Sequence, residues 1–461
     1  MFMSLTLIPI TVTMRKTANP HDQLMQISKK LMKQLNISDS KNISIEIGKT
    51  SIIMNIQPID IPTNEIILPE NVMSNFRLPV QNYRFLASFQ PDSQTLKLGP
   101  VVGLLTNFHL KENDEPNFRS VHKFCEELHH VISGNGGFFY VFSYENFLTK
   151  GYYFQEEKWI SVEPPLPDVI YNRIHSRILE KKISFQEFRQ DLELLMIPLF
   201  NDRFLSKWEV YDQIHNESPL KKAIPETKIF SKENLIELAQ KYETLFIKPI
   251  HGSQGKNIIK LIRDNENRFT YRASLTGGHE QPETYYSLED IYKHLKPILQ
   301  NRIYIVQQGI PFMTKDFRTM DFRVLCHKKH PLMWDITSIV ARIGADQEFV
   351  SNLARGGTLI RPLDALRTCF DAKQGKKVLS EIKDLALKIA ASISSQTHGM
   401  FGELGIDIGV DIDGKPWLIE VNSKPSKSFE ENQEKIRPSA KAIVRFCTTL
   451  VFDLNPEGEV G

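Results

Sequence analysis

Cysteine is scarce in this chain of 461 residues. Its four cysteines stand far apart and form neither a CxxC pair nor a zinc-finger spacing. That absence excludes a cysteine-built zinc site and a small domain held together by disulfides. We predict reduced, semi-buried thiols in a reducing cytosol for Cys125, Cys326, Cys369 and Cys447.

Long apolar runs and an excess of charge of one sign are also missing. No stretch reaches the roughly 20 apolar residues that a membrane-spanning helix requires. No positive residue precedes the apolar segment at the N-terminus, whereas a secretory signal starts with one. The 57 Lys and Arg against 55 Asp and Glu leave a net charge of +2, without the strongly basic character of an obligate nucleic-acid binder. We expect a cytoplasmic protein with neither a membrane nor a nucleic acid as partner.

The patterns that are present begin with a β-rich segment over residues 1–98. Alternating apolar residues predict strands at 43–47 and 51–56, on either side of a Gly-Lys turn. An apolar stripe predicts a helix over 21–35. No internal repeat and no catalytic constellation are evident in this segment.

From residue 99 the pattern becomes that of a small α/β domain, with buried strands at 99–106 and 136–142 and a helix over 117–133 between them. Beyond residue 200, strands at 245–249, 257–262 and 268–272 indicate an antiparallel lid rather than a dinucleotide-binding unit.

The loop His251-Gly-Ser-Gln-Gly-Lys-Asn257 follows the first of these lid strands. It is not a Walker A loop, because Ile250 and Asn257 stand where that motif needs Gly and Ser or Thr. Its glycines and flanking lysines still suit a phosphate, although an ordinary tight loop explains them too. We expect Gly252 and Gly255 to adopt a positive φ or to let the backbone approach a phosphate closely.

Acidic residues flank a hairpin turn at Asp413-Gly414. The hairpin should bring Asp407 beside Glu420, with Asn422 on the same face as Glu420. Oxygen donors of this kind suit Mg²⁺ or Mn²⁺ rather than zinc. The alternative is a hairpin with hydrogen-bonded polar residues. Without a cation, we expect the two carboxylates to repel each other.

Two further segments carry polar groups. Gln307 and Gln308 end an edge-like apolar strand and could meet an adenine edge, or simply mark a strand end. Arg323, Arg342 and Asn352 could converge on an anionic intermediate, since arginine forks suit phosphate and carboxylate.

These segments follow one another in a fixed order along the chain. Lys248 and the glycine loop come first, followed by the strand that ends in Gln307 and Gln308, which we call the hinge strand. An Asp-x-Arg strand, an Asn followed by Gly-Gly, and finally an Asp and a Glu-x-Asn motif come after it. In that order the sequence resembles the ATP-grasp superfamily over roughly residues 200–455, and more closely its YheC/YheD branch of endospore coat-associated proteins. The segments that carry the closer match include IKPIHGSQGKNI, YIVQQGI, MDFRV, SNLARGG and GIDIGVDIDGKPWLIEVNSKP. LGPVVGLLT extends that match upstream.

The resemblance implies a role for each matching residue. The implied ATP-binding residues, which hold the phosphates, form the lid and frame the adenine, are Lys207, Lys248, Gly252, Ser253, Gly255, Lys256, Gln307, Gln308 and Ile310. The implied ligands of Mg²⁺ or Mn²⁺ are Asp407, Glu420 and Asn422. The residues implied to stabilise the transferred phosphate are Arg323, Arg342 and Asn352.

The resemblance also implies a fold and an activity. The fold class is α/β (α+β), with two α+β subdomains that clasp ATP. The implied domains are a β-rich region at 1–98, an α/β domain at 99–200 and ATP-grasp subdomains at 201–305 and 306–455. The implied activity is that of a carboxylate–amine ligase acting through an acyl phosphate, with spore coat proteins as further partners. The alternatives are a non-catalytic ATP-binding protein of the spore coat and an ATP-grasp kinase.

Overall fold

The computed structural model describes residues 7–38, 41–112, 114–217, 219–252, 256–275, 278–279, 283–299, 302–345, 357–427 and 435–452. In these ranges no helix is long and apolar enough to span a membrane.

The first sheet is a closed barrel with a largely aliphatic interior. Its strands and helices are β1 (Ile8–Arg15), β2 (Leu24–Ser28), α1 (Lys29–Leu35), β3 (Asn42–Ile47), β4 (Thr50–Ile59), β5 (Glu65–Pro69), α2 (Glu70–Asn75), β6 (Tyr83–Gln90) and β7 (Thr95–Gly99). The helix predicted over 21–35 is half wrong, because its first part is strand β2 and only its second part is helical.

The barrel repeats one unit twice, which inspection of the sequence missed. The two units are β1-β2-α1-β3 and β4-β5-α2-β6, and each strand of one unit pairs with the other unit in the same way as its equivalent does. β1 pairs in parallel with β5 and β4 with β2, while β1 and β4 pair antiparallel with β6 and β3. Asn36 after α1 and Arg77 after α2 both adopt left-handed backbone, with φ of 55° and 56°. The repeat is one of burial and backbone conformation, and few identical residues mark it in the sequence.

The second sheet is six-stranded, in the order β13-β12-β11-β8-β14-β15. Its region comprises β8 (Val101–Leu105), β9 (His109–Leu110), β10 (Pro116–Asn117), α3 (His122–Asn135), β11 (Phe138–Phe142), β12 (Gly151–Gln155), β13 (Lys158–Val162), β14 (Val169–Asn172), α4 (Arg177–Glu180), α5 (Ile183–Leu194) and β15 (Leu199–Phe200). β8 pairs in parallel with β11 on one side and with β14 on the other. The carboxyl ends of β8 and β14 therefore adjoin at a topological switch point, where ligands commonly bind.

The third sheet is antiparallel along the order β16-β22-β17-β18-β19-β20, with β21 also paired to β19. Its region comprises α6 (Lys207–His215), β16 (Thr227–Ile229), α7 (Lys232–Lys241), β17 (Thr244–Pro249), β18 (Ile258–Arg263), β19 (Phe269–Leu275), β20 (Gly278–His279), β21 (Glu283–Tyr285), α8 (Leu288–Ile298) and β22 (Tyr304–Gln308). The antiparallel strands predicted for the lid are present as β17, β18 and β19. The edge position predicted for the hinge strand is wrong, because β22 lies between β16 and β17.

The fourth sheet follows the order β26-β25-β24-β27-β28, with β23 paired to β24. Its region comprises β23 (Thr314–Lys315), β24 (Arg318–His330), β25 (Met333–Ile343), β26 (Thr358–Ile360), α9 (Pro362–Leu366), α10 (Ala372–Gln396), β27 (Glu403–Val410), β28 (Pro416–Asn422) and α11 (Pro438–Phe452). β27 is buried along its whole length, and the hairpin predicted at Asp413-Gly414 joins it to β28.

Candidate nucleotide and metal site

A cleft opens between the third and fourth sheets. Apolar side chains line much of it, among them Val210, Ile224, Ile305 and Leu418. Its polar lining includes Lys207, Lys248, Gln307 and Glu420. A mostly apolar slot with a few polar groups is the usual form of a small-molecule site.

Helix α6 brings Lys207 to this cleft. The helix begins at Lys207 because Ser206 and Glu209 form a capping box. The backbone N–H of Lys207 also donates to the carbonyl of Ile250, at 3.1 Å, which ties the start of α6 to the end of β17. The predicted lysine is therefore held by both its own helix and the lid strand.

Lys248 lies on β17 and faces the hinge strand. Its Nζ donates to Gln307 Oε1 at 2.7 Å, and Gln307 Nε2 donates to the hydroxyl of Thr227 at 2.9 Å. Burial lowers the pKa of Lys248 to about 8, and the positive charge of Lys207 lowers it further than the carboxylate of Glu420 raises it. Within the described ranges Lys248 makes no ion pair, so its charge is available to an anionic ligand.

Lys207 is paired with a carboxylate. Its Nζ lies 2.7 Å from Glu420 Oε1 and donates to the carbonyl of Gly252 at 3.2 Å. Glu420 is on β28, directly opposite Asp407 on β27, as the predicted hairpin requires. Glu420, a predicted metal ligand, thus forms an ion pair with Lys207, a predicted phosphate-binding lysine.

Asp407 is enclosed by arginines. Arg323, which is opposite Asp407 in the sheet, binds both of its oxygens, and Arg342 Nη2 lies 3.0 Å from Asp407 Oδ2. Arg342 also donates twice to Asp321, at 2.6 and 2.7 Å. Burial alone would raise the pKa of Asp407, but the two guanidinium groups outweigh it and hold the pKa below its ordinary value.

The expected repulsion between Asp407 and Glu420 is therefore wrong as a description of the ligand-free protein. Glu420 pairs with Lys207 and Asp407 pairs with Arg323, so the negative charges of both carboxylates are already compensated. Asn422 lies opposite Gly405 at the end of β28. Two carboxylates and one amide fit a hard divalent cation. Among the described residues, however, no three His, Cys, Asp or Glu side chains cluster in a way that could hold a metal.

The other predicted site residues are less well placed, or are not described. Gln308 does not join Gln307 among the cleft-lining residues, because its side chain accepts from the backbone N–H of Glu226 at 3.2 Å. Ile310 is outside that lining, and Lys256 is exposed. The predicted residues that lie outside the described ranges are Ser253, Gly255 and Asn352.

Gly252 does not use a positive φ, so this part of the expectation is wrong. A Cβ at Gly252 would lie 2.9 Å from Cγ of Pro249, which is closer than side chains normally come. The close approach is thus to the end of β17, while the Gly252 carbonyl turns to Lys207.

A buried cluster around Glu403 was missed. Glu403 is 0% exposed and accepts from the hydroxyl of Tyr171 at 2.6 Å. His327 Nε2 lies 2.9 Å from Glu403 Oε1, and Lys427 forms a close ion pair with the same carboxylate. Arg173 Nη1 lies 3.4 Å from it and links the fourth sheet to the second. The sole signal in the sequence was one acidic residue at the head of an apolar strand.

Arg177 was also missed, although it follows the second sheet and adjoins the cleft through Leu205, which lines it. Its Nη1 lies 3.5 Å from His251 Nδ1, and its Nη2 donates to the carbonyl of Leu205 at 2.9 Å. It lies outside every segment that carries the family resemblance.

Comparison with known proteins places these features in a family. A family model described as YheC/D like ATP-grasp matches residues 196–450, more than half of the chain. The endospore coat-associated protein YheD of Bacillus subtilis (strain 168) is 26% identical over 375 residues, which cover 79% of this chain and 80% of that protein. The endospore coat-associated protein YheC of the same strain is 24% identical over 304 residues, covering 64% of this chain and 80% of that protein. Among solved structures, the D-alanine-D-alanine ligase from Coxiella burnetii is similar with a TM-score of 0.44 and 11% identity, covering 77% of this chain and 94% of that one.

Proposed function

The chain belongs to the YheC/D like ATP-grasp family, and on that basis we propose that it binds ATP with Mg²⁺ or Mn²⁺ and joins a carboxylate to an amine through an acyl phosphate. The observation that carries the proposal is the convergence of Lys207, Lys248 and Glu420 on one cleft whose walls are largely apolar. Apolar walls suit an adenine ring, and two lysines suit its phosphates.

In this proposal the adenine lies against Ile224, Ile305 and Leu418, while Lys248 and Lys207 hold the phosphates from opposite sides. Lys207 then exchanges its ion pair with Glu420 for contacts with phosphate oxygens. Glu420 becomes free for the cation at the moment when the nucleotide arrives, so nucleotide and cation should bind together.

Asp407, Glu420 and Asn422 would hold the cation. When bound, the cation would neutralise phosphate charge and help to orient the phosphates. The protein contributes position and a closed, dry cleft, and no protein nucleophile is needed. The proposed domains are a β-rich region at 1–98, an α/β domain at 99–200 and ATP-grasp subdomains at 201–305 and 306–455.

A non-catalytic role in the spore coat is the second candidate. The names of two relatives, which describe them as endospore coat-associated, favour it. The presence of both lysines and all three proposed metal ligands favours catalysis instead, because a degenerate site should have lost one of them.

The test is a screen for ADP release with Mg²⁺-ATP and pools of amino acids, peptides and spore-related metabolites. A ligase would release ADP and phosphate and form an amide, whereas a kinase would release ADP and form a phosphorylated product. ATP with Mg²⁺ should also raise the melting temperature, because a ligand of the native state stabilises it by mass action. If millimolar ATP causes no such shift, the ATP-binding assignment is wrong.

The lowered pKa of Lys248 gives a prediction about pH. In the free protein its pKa is about 8, so at that pH about half of the molecules lack the proton. Phosphate contacts favour the charged amine, so ATP binding should take up protons near pH 8, and ATP affinity should fall as the pH rises further. Titration calorimetry in buffers of different ionisation enthalpy measures this uptake. Lys248→Arg is the matched control, because arginine stays charged and should bind ATP without it. Equal proton uptake by parent and variant would contradict the prediction.

A further inference from the structure

Arg177 stands where the second sheet meets the nucleotide cleft. It is the first residue of α4, a few residues after β14 ends at the carboxyl edge of that sheet. Its guanidinium group lies 4.8 Å from the ring centroid of Phe204, and Lys424 lies 4.7 Å from the same ring. The stacking and the bond to the Leu205 carbonyl fix the direction of the side chain.

Charged groups of both signs surround Arg177. His251 lies beside it, and burial lowers the pKa of His251, as do the charges of Arg177, Lys181 and Lys207. Of the carboxylates that act on Arg177, Glu420 acts most strongly. Arg177 binds the carbonyl of the cleft-lining Leu205, and Lys207 binds the carbonyl of Gly252, the neighbour of His251, so Arg177 adjoins the lysine end of the cleft. Within the part of the chain that the structure describes, it makes no ion pair.

The two arginines that the sequence suggested for the transferred phosphate are differently placed. Arg323 binds Asp407 with two nitrogens, and Arg342 binds both Asp321 and Asp407. In the protein without nucleotide or cation, both arginines are therefore neutralised by buried carboxylates, and they lose Asp407 only if it turns to the cation. Arg177 needs no such exchange, because it forms no ion pair among the described residues, and an arginine fork matches a phosphate in geometry and charge.

We propose that Arg177, with His251 beside it, forms the oxyanion subsite that holds the phosphoryl group once it has left ATP. This subsite rests on the proposed function. In that reaction a carboxylate oxygen bonds to the γ-phosphorus while the bond from that phosphorus to the β–γ bridging oxygen breaks, and ADP keeps the electron pair. The amine nitrogen then attacks the acyl carbon and loses a proton to solvent, and phosphate departs. The group held by Arg177 is anionic at each stage, from acyl phosphate to free phosphate.

Inorganic phosphate is the probe, because it is a product whatever the natural substrate is. Calorimetric titration of phosphate into the full-length protein saturated with Mg²⁺-ADP should show binding. Arg177→Gln should weaken it by about tenfold or more, because a hydrogen bond between charged groups is lost. The affinity for Mg²⁺-ADP itself should stay within about twofold, which also shows that the variant is folded.

Lys181→Gln is the matched control, since it removes a positive charge four residues away on an exposed side chain. It should change phosphate affinity by less than about threefold. An equal loss in both variants would mean a general field effect and would overturn the subsite. Unchanged phosphate affinity in Arg177→Gln, or no phosphate binding by the parent at tens of millimolar, would also overturn it. Failure of Mg²⁺-ADP to bind to the parent would overturn the proposed function together with the subsite.

Discussion

Glu420→Gln is expected to lower Mg²⁺-dependent ADP formation at least about a hundredfold. The substitution removes one of the two carboxylates proposed to bind the Mg²⁺ ion that neutralises the phosphates. The substitution preserves the size of the side chain and removes its charge. Measurement of ADP release with the substrate found by the screen, at several Mg²⁺ concentrations, checks the result. Partial recovery at high Mg²⁺ would agree with a weakened metal site.

The control for this substitution is Glu237→Gln. Glu237 also pairs with lysines, Lys228 and Lys241, but lies on α7, away from the cleft. It should leave ADP release unchanged. If Glu420→Gln retains full activity, Glu420 is not a ligand that catalysis needs, and the proposed metal site is wrong.

The structure also changes what Glu420→Gln should do to stability. The sequence led us to expect relief of repulsion with Asp407. In the folded protein Glu420 instead pairs with Lys207, while Asp407 is held by two arginines. The variant without nucleotide should therefore be no more stable than the parent, and thermal unfolding without metal distinguishes the two expectations.

The sequence predicted local elements well, because turns and caps act over a few residues. The family resemblance and the fold class are confirmed by the family match. Asp413-Gly414 turns the chain between β27 and β28 as expected, and the strand predicted at 245–249 is present within β17. Strand order could not be predicted in this way. Whether β22 lies at an edge or inside a sheet depends on β16, which is far from it in sequence.

In the candidate site, too, local features could be predicted from the sequence and long-range contacts could not. The hairpin turn and the alternation of side chains were enough to predict that Asp407 and Glu420 adjoin. The partners of these carboxylates were beyond such reasoning, because Lys207 is 213 residues from Glu420 and Arg323 is 84 residues from Asp407. Partners at that separation follow from sheet register and from how the sheets pack, and one sequence contains no local signal for either.

Glu403 is the clearest case of a residue whose importance only the fold reveals. Tyr171 and Arg173 come from β14 and the loop after it, His327 comes from β24, and Lys427 follows the proposed metal ligands. Burial alone would raise the pKa of Glu403, but Lys427, His327 and Arg173 outweigh it and hold the pKa well below its ordinary value. The charged form of Glu403 is thus part of the folded state, and it joins the second sheet to the fourth.

Glu403→Gln should therefore lower the free energy of unfolding of the fourth sheet by about 3–5 kcal/mol at neutral pH, the usual cost when one partner of a buried ion pair is removed. Hydrogen exchange of the β24 and β27 amides measures this free energy within the sheet itself. Glu289→Gln, which disrupts an exposed pair with Lys232, is the control and should leave exchange nearly unchanged.

The pH dependence of the same exchange tests the cause. Because the folded pKa of Glu403 lies below its ordinary value of 4.5, its stabilising contribution is complete above that pH and declines as the pH falls below 4.5 towards the folded pKa. The parent should thus lose protection in acid faster than Glu403→Gln does, and the difference between the two should shrink. A difference that stays constant down to acid pH would mean that the charge of Glu403 contributes nothing, and that packing alone explains the loss.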